Sequence, residues 1–211
     1  MAKKPSGSEP ALVLATANVA KGREMAELLA DIPFRILTLR DFPGVRFPAE
    51  GAASYADNAY LKARAVAAAT GHLALADDSG IEVDALDGRP GVLSARYGGE
   101  GLSDGERNAH LLRELAAVPP ARRTARYRCV IAICSPEGRE ATAEGTVEGI
   151  LLEAPTAGTG GFGYDPLFFY PPLNATFADI PAAAKHAVSH RGRAMARARE
   201  LLLRWRAGTQ P

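Results

Sequence analysis

The order of its apolar runs constrains the fold of this chain more than anything else in the sequence. Ala11 to Ala15 is a short unbroken apolar run, the mark of a fully buried strand. From about Val19 to Asp31 the period changes. Met25, Leu28, Leu29 and Ile32 recur at i, i+3, i+4 and i+7 and make one apolar helix face. Phe34–Leu39 returns to strand, and residues 41–53, with Pro43, Gly44, Pro48 and Gly51, form a loop. Ser54-Tyr55-Ala56-Asp57 is a capping-box pattern opening a helix to about Thr70. Strands follow at 73–77 and 81–85, and Ser103-Asp104-Gly105-Glu106 caps a helix that ends before Pro119-Pro120. Residues 125–134 and 140–149 are paired strands, and Leu167–Tyr170 is a short one. A last helix from His190 to about Arg206 carries Ala194, Ala198, Leu201 and Trp205 on one face. Early alternation followed by clustered strands predicts an α/β fold, with a long mixed β-sheet flanked by helices and two lobes around a central cleft.

The 211 residues suit one domain, placed at residues 10–207, after a disordered tail at residues 1–9. Apolar content of 47% and charged content of 23% are those of a globular protein. A formal charge of +1 gives no overall pull toward nucleic acid or membrane. No run approaches the roughly 18 apolar residues that span a bilayer, and the Lys3-Lys4 tail is not a signal peptide. Cys129 and Cys134 are five apart, so on one strand they face opposite sides and cannot bridge each other. Two buried thiols place the protein in the cytoplasm. The four histidines form no zinc pattern.

Asp77-Asp78-Ser79-Gly80 follows the apolar run Leu73–Ala76. Adjacent carboxylates at the end of a buried strand are costly unless they are paired or bind a metal. If the strand persists through them, only one can face a given cleft. The alternative is an ordinary Asp-Ser-Gly turn. The turn Thr16-Ala17-Asn18-Val19-Ala20-Lys21 joins the first strand to the first helix. There, free N–H groups, the helix dipole and a lysine converge into an anion site that lacks the P-loop spacing. Glu50 lies in the next loop. Asn58 and Lys62, four apart on the second helix, read as an exposed face.

Gly158 to Pro166 holds four glycines interleaved with Phe162 and Tyr164. Glycines let a backbone approach a ligand, and the two rings offer faces for a flat base. Asp165 adds an acceptor. Lys185, Ser189, His190 and Arg191 precede the last helix, where cations oppose the dipole and point to an anion nearby. Arg193, Arg197, Arg199 and Arg204 read as a solvated face.

From Leu12 to about Leu203 these segments resemble the inosine triphosphate pyrophosphatase family. Thr16–Lys21 with Glu24 resembles its first phosphate loop. Glu50, Asp57-Asn58-Ala59 and Lys62-Ala63 resemble the next segment, and Asp77–Gly80 the catalytic one. Pro90-Gly91-Val92 and Ser94–Tyr97 continue the match, Phe162-Gly163-Tyr164-Asp165 resembles the base-binding loop, and Lys185, His190 and Arg191 the remaining substrate contacts. Asp179 and Pro181 depart from the family pattern and give the loop into Lys185 its own conformation.

The resemblance implies Mg²⁺-dependent hydrolysis of dITP, ITP and XTP to the monophosphate and pyrophosphate, cleansing the nucleotide pool. It implies a homodimer, with a purine nucleoside triphosphate as the partner in the cleft. Asp78 would be metal ligand and proton acceptor, and Glu50, or Asp77, a second ligand. Thr16 to Lys21, Ser79, Phe162 to Asp165, Lys185, His190 and Arg191 would bind the substrate. Donors aimed at the C6 oxygen of hypoxanthine would meet adenine's amino group unpaired, and backbone N–H groups near Phe162–Asp165 and Ser189–Arg191 are the candidates. A pyrophosphatase for modified pyrimidine nucleotides and a non-catalytic nucleotide sensor are the alternatives.

Overall fold

The computed structural model describes residues 9–47, 51 and 54–208. Residues 1–8 of the expected tail, and Glu50, lie outside the described residues. In chain order the elements are β1 (Ala11–Leu14), α1 (Val19–Leu28), β2 (Arg35–Thr38), α2 (Tyr55–Thr70) and β3 (Leu73–Val83). There follow α3 (Asp104–Glu114), β4 (Thr124–Cys134), β5 (Glu140–Leu151), β6 (Phe168–Tyr170), β7 (Ala175–Thr176), α4 (Ala182–Val188) and α5 (His190–Arg206). The strands form one sheet in the order β2-β1-β3-β4-β5-β6-β7. The first three are parallel and the rest antiparallel, so the mixed α/β sheet is borne out.

Of the two readings of Asp77–Gly80, strand or turn, the structure shows strand. β3 runs unbroken from Leu73 to Val83, and Asp77, Asp78, Ser79 and Gly80 pair with Ile131, Val130, Cys129 and Arg128 of β4. Gly80 is tolerated mid-strand because the 3-10 turn Gly91–Arg96 lies against it. A side chain at that position would collide with the Gly91 carbonyl and the Ser94 hydroxyl. Both predicted helix starts are capped by their serines: Ser54 Oγ accepts from the Asp57 N–H, and Ser103 and Glu106 form a reciprocal capping box.

Strand alternation sorts the core into layers. Leu12, Leu14, Leu75 and Cys129 face α1 and α5, packing on Met25, Leu29, Met195, Ala198 and Leu202. Val13, Ala15, Ala74, Ala76 and Cys134 face α2, packing on Ala59, Ala63 and Val66. Burying each of these leucines contributes about 1.5–3 kcal/mol. The two cysteines are therefore free, buried and on opposite faces, as their spacing predicts. A third cluster joins Ile81, Val83, Tyr127 and Phe168 to Leu111 of α3 and to Leu115, which caps its end.

Arg193, Arg197 and Arg204 of α5 are exposed, as expected of a solvated face, and Arg199 is half-buried. Arg193 and Arg197 donate to the carbonyls of Thr146 and Glu144 on β5, and Arg199 pairs with Asp31, so they tie the helix to its neighbours. The segment before Lys185 is helix α4 rather than loop. Among the described residues no helix is long and apolar enough to cross a membrane.

Candidate active site

The site begins where β1 ends. Leu14 is the last residue of β1 and lies opposite Leu75, and the Ala15 N–H bonds the Leu75 carbonyl. Beyond that point β3 has no β1 neighbour. Asp77 to Gly80 thus border a notch at the carboxyl end of parallel strands, the usual place for a ligand in an α/β sheet. The turn Thr16–Lys21 closes the notch. Thr16 Oγ1 accepts from the Asn18 N–H at 3.2 Å, and Asn18 caps α1 by accepting from the Lys21 N–H at 3.0 Å. Ala17, Asn18 and Val19 are exposed, and Ala20 is half-buried.

The two aspartates separate as strand geometry requires. Asp77 is 1% exposed and faces α5. Its Oδ2 meets Lys21 Nζ at 3.3 Å, Arg191 Nη2 at 3.1 Å and Ser79 Oγ at 3.1 Å. Burial works to raise its carboxyl pKa, but the charges of Lys21, Arg191 and Lys62 hold it well below the usual carboxylate range. Asp78 is on the opposite face, where it accepts from Asn58 Nδ2 at 3.0 Å and lies 3.5 Å from Lys62 Nζ. Asn58 and Lys62 are 1% and 6% exposed, so the expectation of an exposed pair is overturned. Their spacing does place them on one face, and that face meets the sheet.

Beside the notch, on the Asp77 face, is a cavity of about 190 Å³. Lys21, Ser79, Phe162, Tyr164, His190 and Arg191 line it, while Asp78 does not. Its volume is below the roughly 300–1,000 Å³ of a drug-sized site, so it suits a base and leaves a longer tail to the notch. Phe162 is half-buried, with Lys185 Nζ 4.9 Å and Arg191 Cζ 5.6 Å from its ring centre. Tyr164 lines the cavity from the core side, its ring buried and its hydroxyl donating to the Ser94 carbonyl at 2.9 Å. Asp165 lines the cavity, and both of its oxygens also accept from the protein. Oδ1 accepts from the Tyr127 hydroxyl, and Oδ2 from Lys185 and the Phe162 N–H. Burial pushes its carboxyl upward, with Lys185 pulling the other way.

The cations before α5 do face anions, and these belong to the protein. Lys185 Nζ lies 2.7 Å from both Glu24 and Asp165, and Arg191 Nη1 lies 2.6 Å from Glu24. Burial acts against ionisation of Glu24, but Arg191 and Lys185 keep its carboxyl below the ordinary range. His190 stacks on Tyr127, with ring centres 4.5 Å apart. Burial and the charges of Arg191 and Lys185 lower its pKa well below the ordinary histidine value, so the ring is neutral.

Sequence reasoning missed the cavity walls contributed by Ser94, Arg107 and Tyr127. Tyr127 carries no local signal, being one of several aromatic strand residues. Asp104 and Asn108 were legible only as parts of a capped helix.

An α/β sheet with an anion-binding turn at the end of β1 and a base-sized aromatic cavity beside it defines a nucleotide-binding protein. The chain belongs to the Ham1 family, whose match covers residues 12–201. It is 54% identical over 185 residues to the dITP/XTP pyrophosphatase of Geobacter sulfurreducens, covering 88% of this chain and 92% of that one. It is 48% identical over 200 residues to the dITP/XTP pyrophosphatase of Thermus thermophilus, covering 95% and 94%. The structure of a HAM1 protein from Coxiella burnetii superposes with a TM-score of 0.83 at 37% identity, covering 92% of this chain and 98% of that one.

Proposed function

We propose that this protein is a nucleoside triphosphate pyrophosphatase that hydrolyses dITP, ITP and XTP to the monophosphate and pyrophosphate with Mg²⁺, removing nonstandard purines from the nucleotide pool. Family membership supports the reaction class, and the charge balance of the notch carries the rest. Lys21, Lys62, Lys185 and Arg191 face Asp77, Asp78, Glu24 and Asp165 at ion-pair distance. Among the described residues these four cations stand against four carboxylates, so a triphosphate draws on further positive charge.

A divalent ion supplies that charge. Mg²⁺ is commonly held by one or two carboxylates, waters and substrate phosphates rather than by an all-protein cage. Asp78 fits that habit, and among the described residues no three His, Cys, Asp or Glu side chains converge on one point. Bound there, Mg²⁺ would polarise the phosphates and acidify a water. Glu50 is the second proposed ligand.

Asp78 accepts the proton of the attacking water as the water oxygen bonds to one of the two phosphorus atoms flanking the α–β bridging oxygen; the bond from that phosphorus to the bridging oxygen breaks, and the leaving group, pyrophosphate or the monophosphate, departs with the electron pair. Asn58 and Lys62 orient the Asp78 carboxylate for that step. The Lys21 side chain and the Ala17, Val19 and Ala20 amides bind the tail, since the Thr16, Asn18 and Lys21 N–H groups are already bonded locally, and Phe162 stacks on the base. Of the candidate donors for the C6 oxygen, the Phe162 and Gly163 N–H groups are taken by Asp165 and Asp104. The His190 and Arg191 amides open α5 and have no intrahelical acceptor, so they are assigned this role. The enzyme acts in the cytoplasm as a homodimer. A pyrophosphate-release panel over ITP, dITP, XTP, ATP and GTP, with and without Mg²⁺, tests the proposal. Discrimination against ATP of roughly 10⁴–10⁵ is expected, and similar kcat/KM for ITP and ATP would end it.

A further inference from the structure

Helix α3 starts against the glycine-rich loop and grips one of its residues from both sides. Gly163 sits at φ +64°, a conformation other residues rarely adopt. Its N–H donates to Asp104 Oδ2 at 2.7 Å, and its carbonyl accepts from Asn108 Nδ2 at 3.1 Å. Asp104 and Asn108 are four apart, one turn of one helix face, which is why a single helix can hold both polar groups of one residue. Asn108 is buried, and its Oδ1 has no partner, so nothing on the amide competes with the bond to Gly163. The preceding peptide is fixed as well, because the Phe162 N–H donates to Asp165. The backbone carrying the Phe162 ring is therefore tied on both sides of that ring. Neither Asp104 nor Asn108 bonds to Lys21, Asp77 or Asp78.

We infer that Asp104 and Asn108 are positioning residues for the purine base, setting the height and tilt of Phe162 by clamping Gly163, an assignment that rests on the pyrophosphatase activity proposed above. Asp104 also borders the cavity itself, so both residues act at the base end, away from the phosphate notch. Loss of either bond lets the loop sample other positions, and the ring then meets the base less often. The phosphate end, built on β1, α1 and β3, is untouched.

The test compares wild type with Asp104→Ala, Asn108→Ala and Asp104→Asn, measuring kcat and KM for ITP and product inhibition by inosine monophosphate and by pyrophosphate. Asp104 is exposed, so its alanine variant keeps the fold even if Asn108→Ala does not. The alanine variants should raise KM for ITP, and weaken inhibition by the monophosphate, by roughly three- to tenfold, the worth of one hydrogen bond. Their kcat, and inhibition by pyrophosphate, which carries no base, should stay within about twofold of wild type on the same scale. Asp104→Asn keeps an acceptor for the Gly163 N–H and should restore wild-type values. Unchanged KM in Asp104→Ala, or pyrophosphate inhibition weakening in step with the monophosphate, would overturn the assignment alone. Wild type that fails to turn over ITP would remove the proposed function and this assignment with it.

Discussion

Replacing Asp77 by asparagine separates the structural carboxylate of the pair from the chemical one. Asp77 is buried, and its Oδ2 is the acceptor for Lys21, Ser79 and Arg191. Breaking a buried ion pair costs about 3–5 kcal/mol, because the partner is left uncompensated. Two features move the expected loss toward the lower figure. Arg191 keeps Glu24 at 2.6 Å, and the Lys21 side chain is 16% exposed and can turn to water. About 3 kcal/mol in a chain of this size corresponds to a Tm drop of roughly 6–12 °C, measured by circular dichroism at pH 7. The acid limb provides an internal control. Asp77 and Glu24 both have folded pKa values below their unfolded ones. Their stabilisation is complete above the ordinary carboxylate range, about pH 4, and drains away as pH falls through the depressed folded values. The gap between wild type and Asp77→Asn should therefore close on acidification below about pH 4. A Tm within about 2 °C of wild type at pH 7, under 1 kcal/mol on the same scale, would refute the role of Asp77 as a buried counter-ion.

Phe162→Ala removes the half-buried ring of the glycine-rich loop that borders the cavity. It should raise KM for ITP by the roughly 1–3 kcal/mol of a base–aromatic stack, about five- to 150-fold, while pyrophosphate inhibition holds; an unchanged KM would place the base elsewhere. Asn58→Ala deletes the 3.0 Å bond to the Asp78 carboxylate. Hydrogen bonds to charged groups are worth about 1.5–3 kcal/mol, so kcat should fall about ten- to a hundredfold with KM nearly constant. A rise in KM at constant kcat would assign Asn58 to ground-state binding instead.

Much of the fold was legible because local signals and burial agreed. Capping boxes at Ser54 and Ser103 mark real helix starts, and β1, β4, β5 and α5 fall within one or two residues of their apolar patterns. The failures share a cause: contacts distant in sequence override local chemistry. Asp-Ser-Gly reads as a turn, yet it stays in β3 because β4 pairs with every residue of it and residues 91–94 fill the space over Gly80. Asn58 and Lys62 read as solvent-facing, because nothing near them reveals the Asp78 carboxylate twenty and sixteen residues away. Asp165 reads as a ligand acceptor, and its bonds to Tyr127 and Lys185, remote in the chain, were not legible. At the site, the participating segments were visible, but their division of labour was not, since it depends on which strand face each side chain leaves.

The most direct measurement is pyrophosphate release from ITP and Mg²⁺ by Asp78→Asn, alongside its circular dichroism spectrum. Asparagine keeps the size of the side chain and cannot take the proton. The rate should fall by more than about a hundredfold with the spectrum of wild type retained. A folded variant that keeps more than roughly a tenth of the wild-type rate would contradict Asp78 as the proton acceptor.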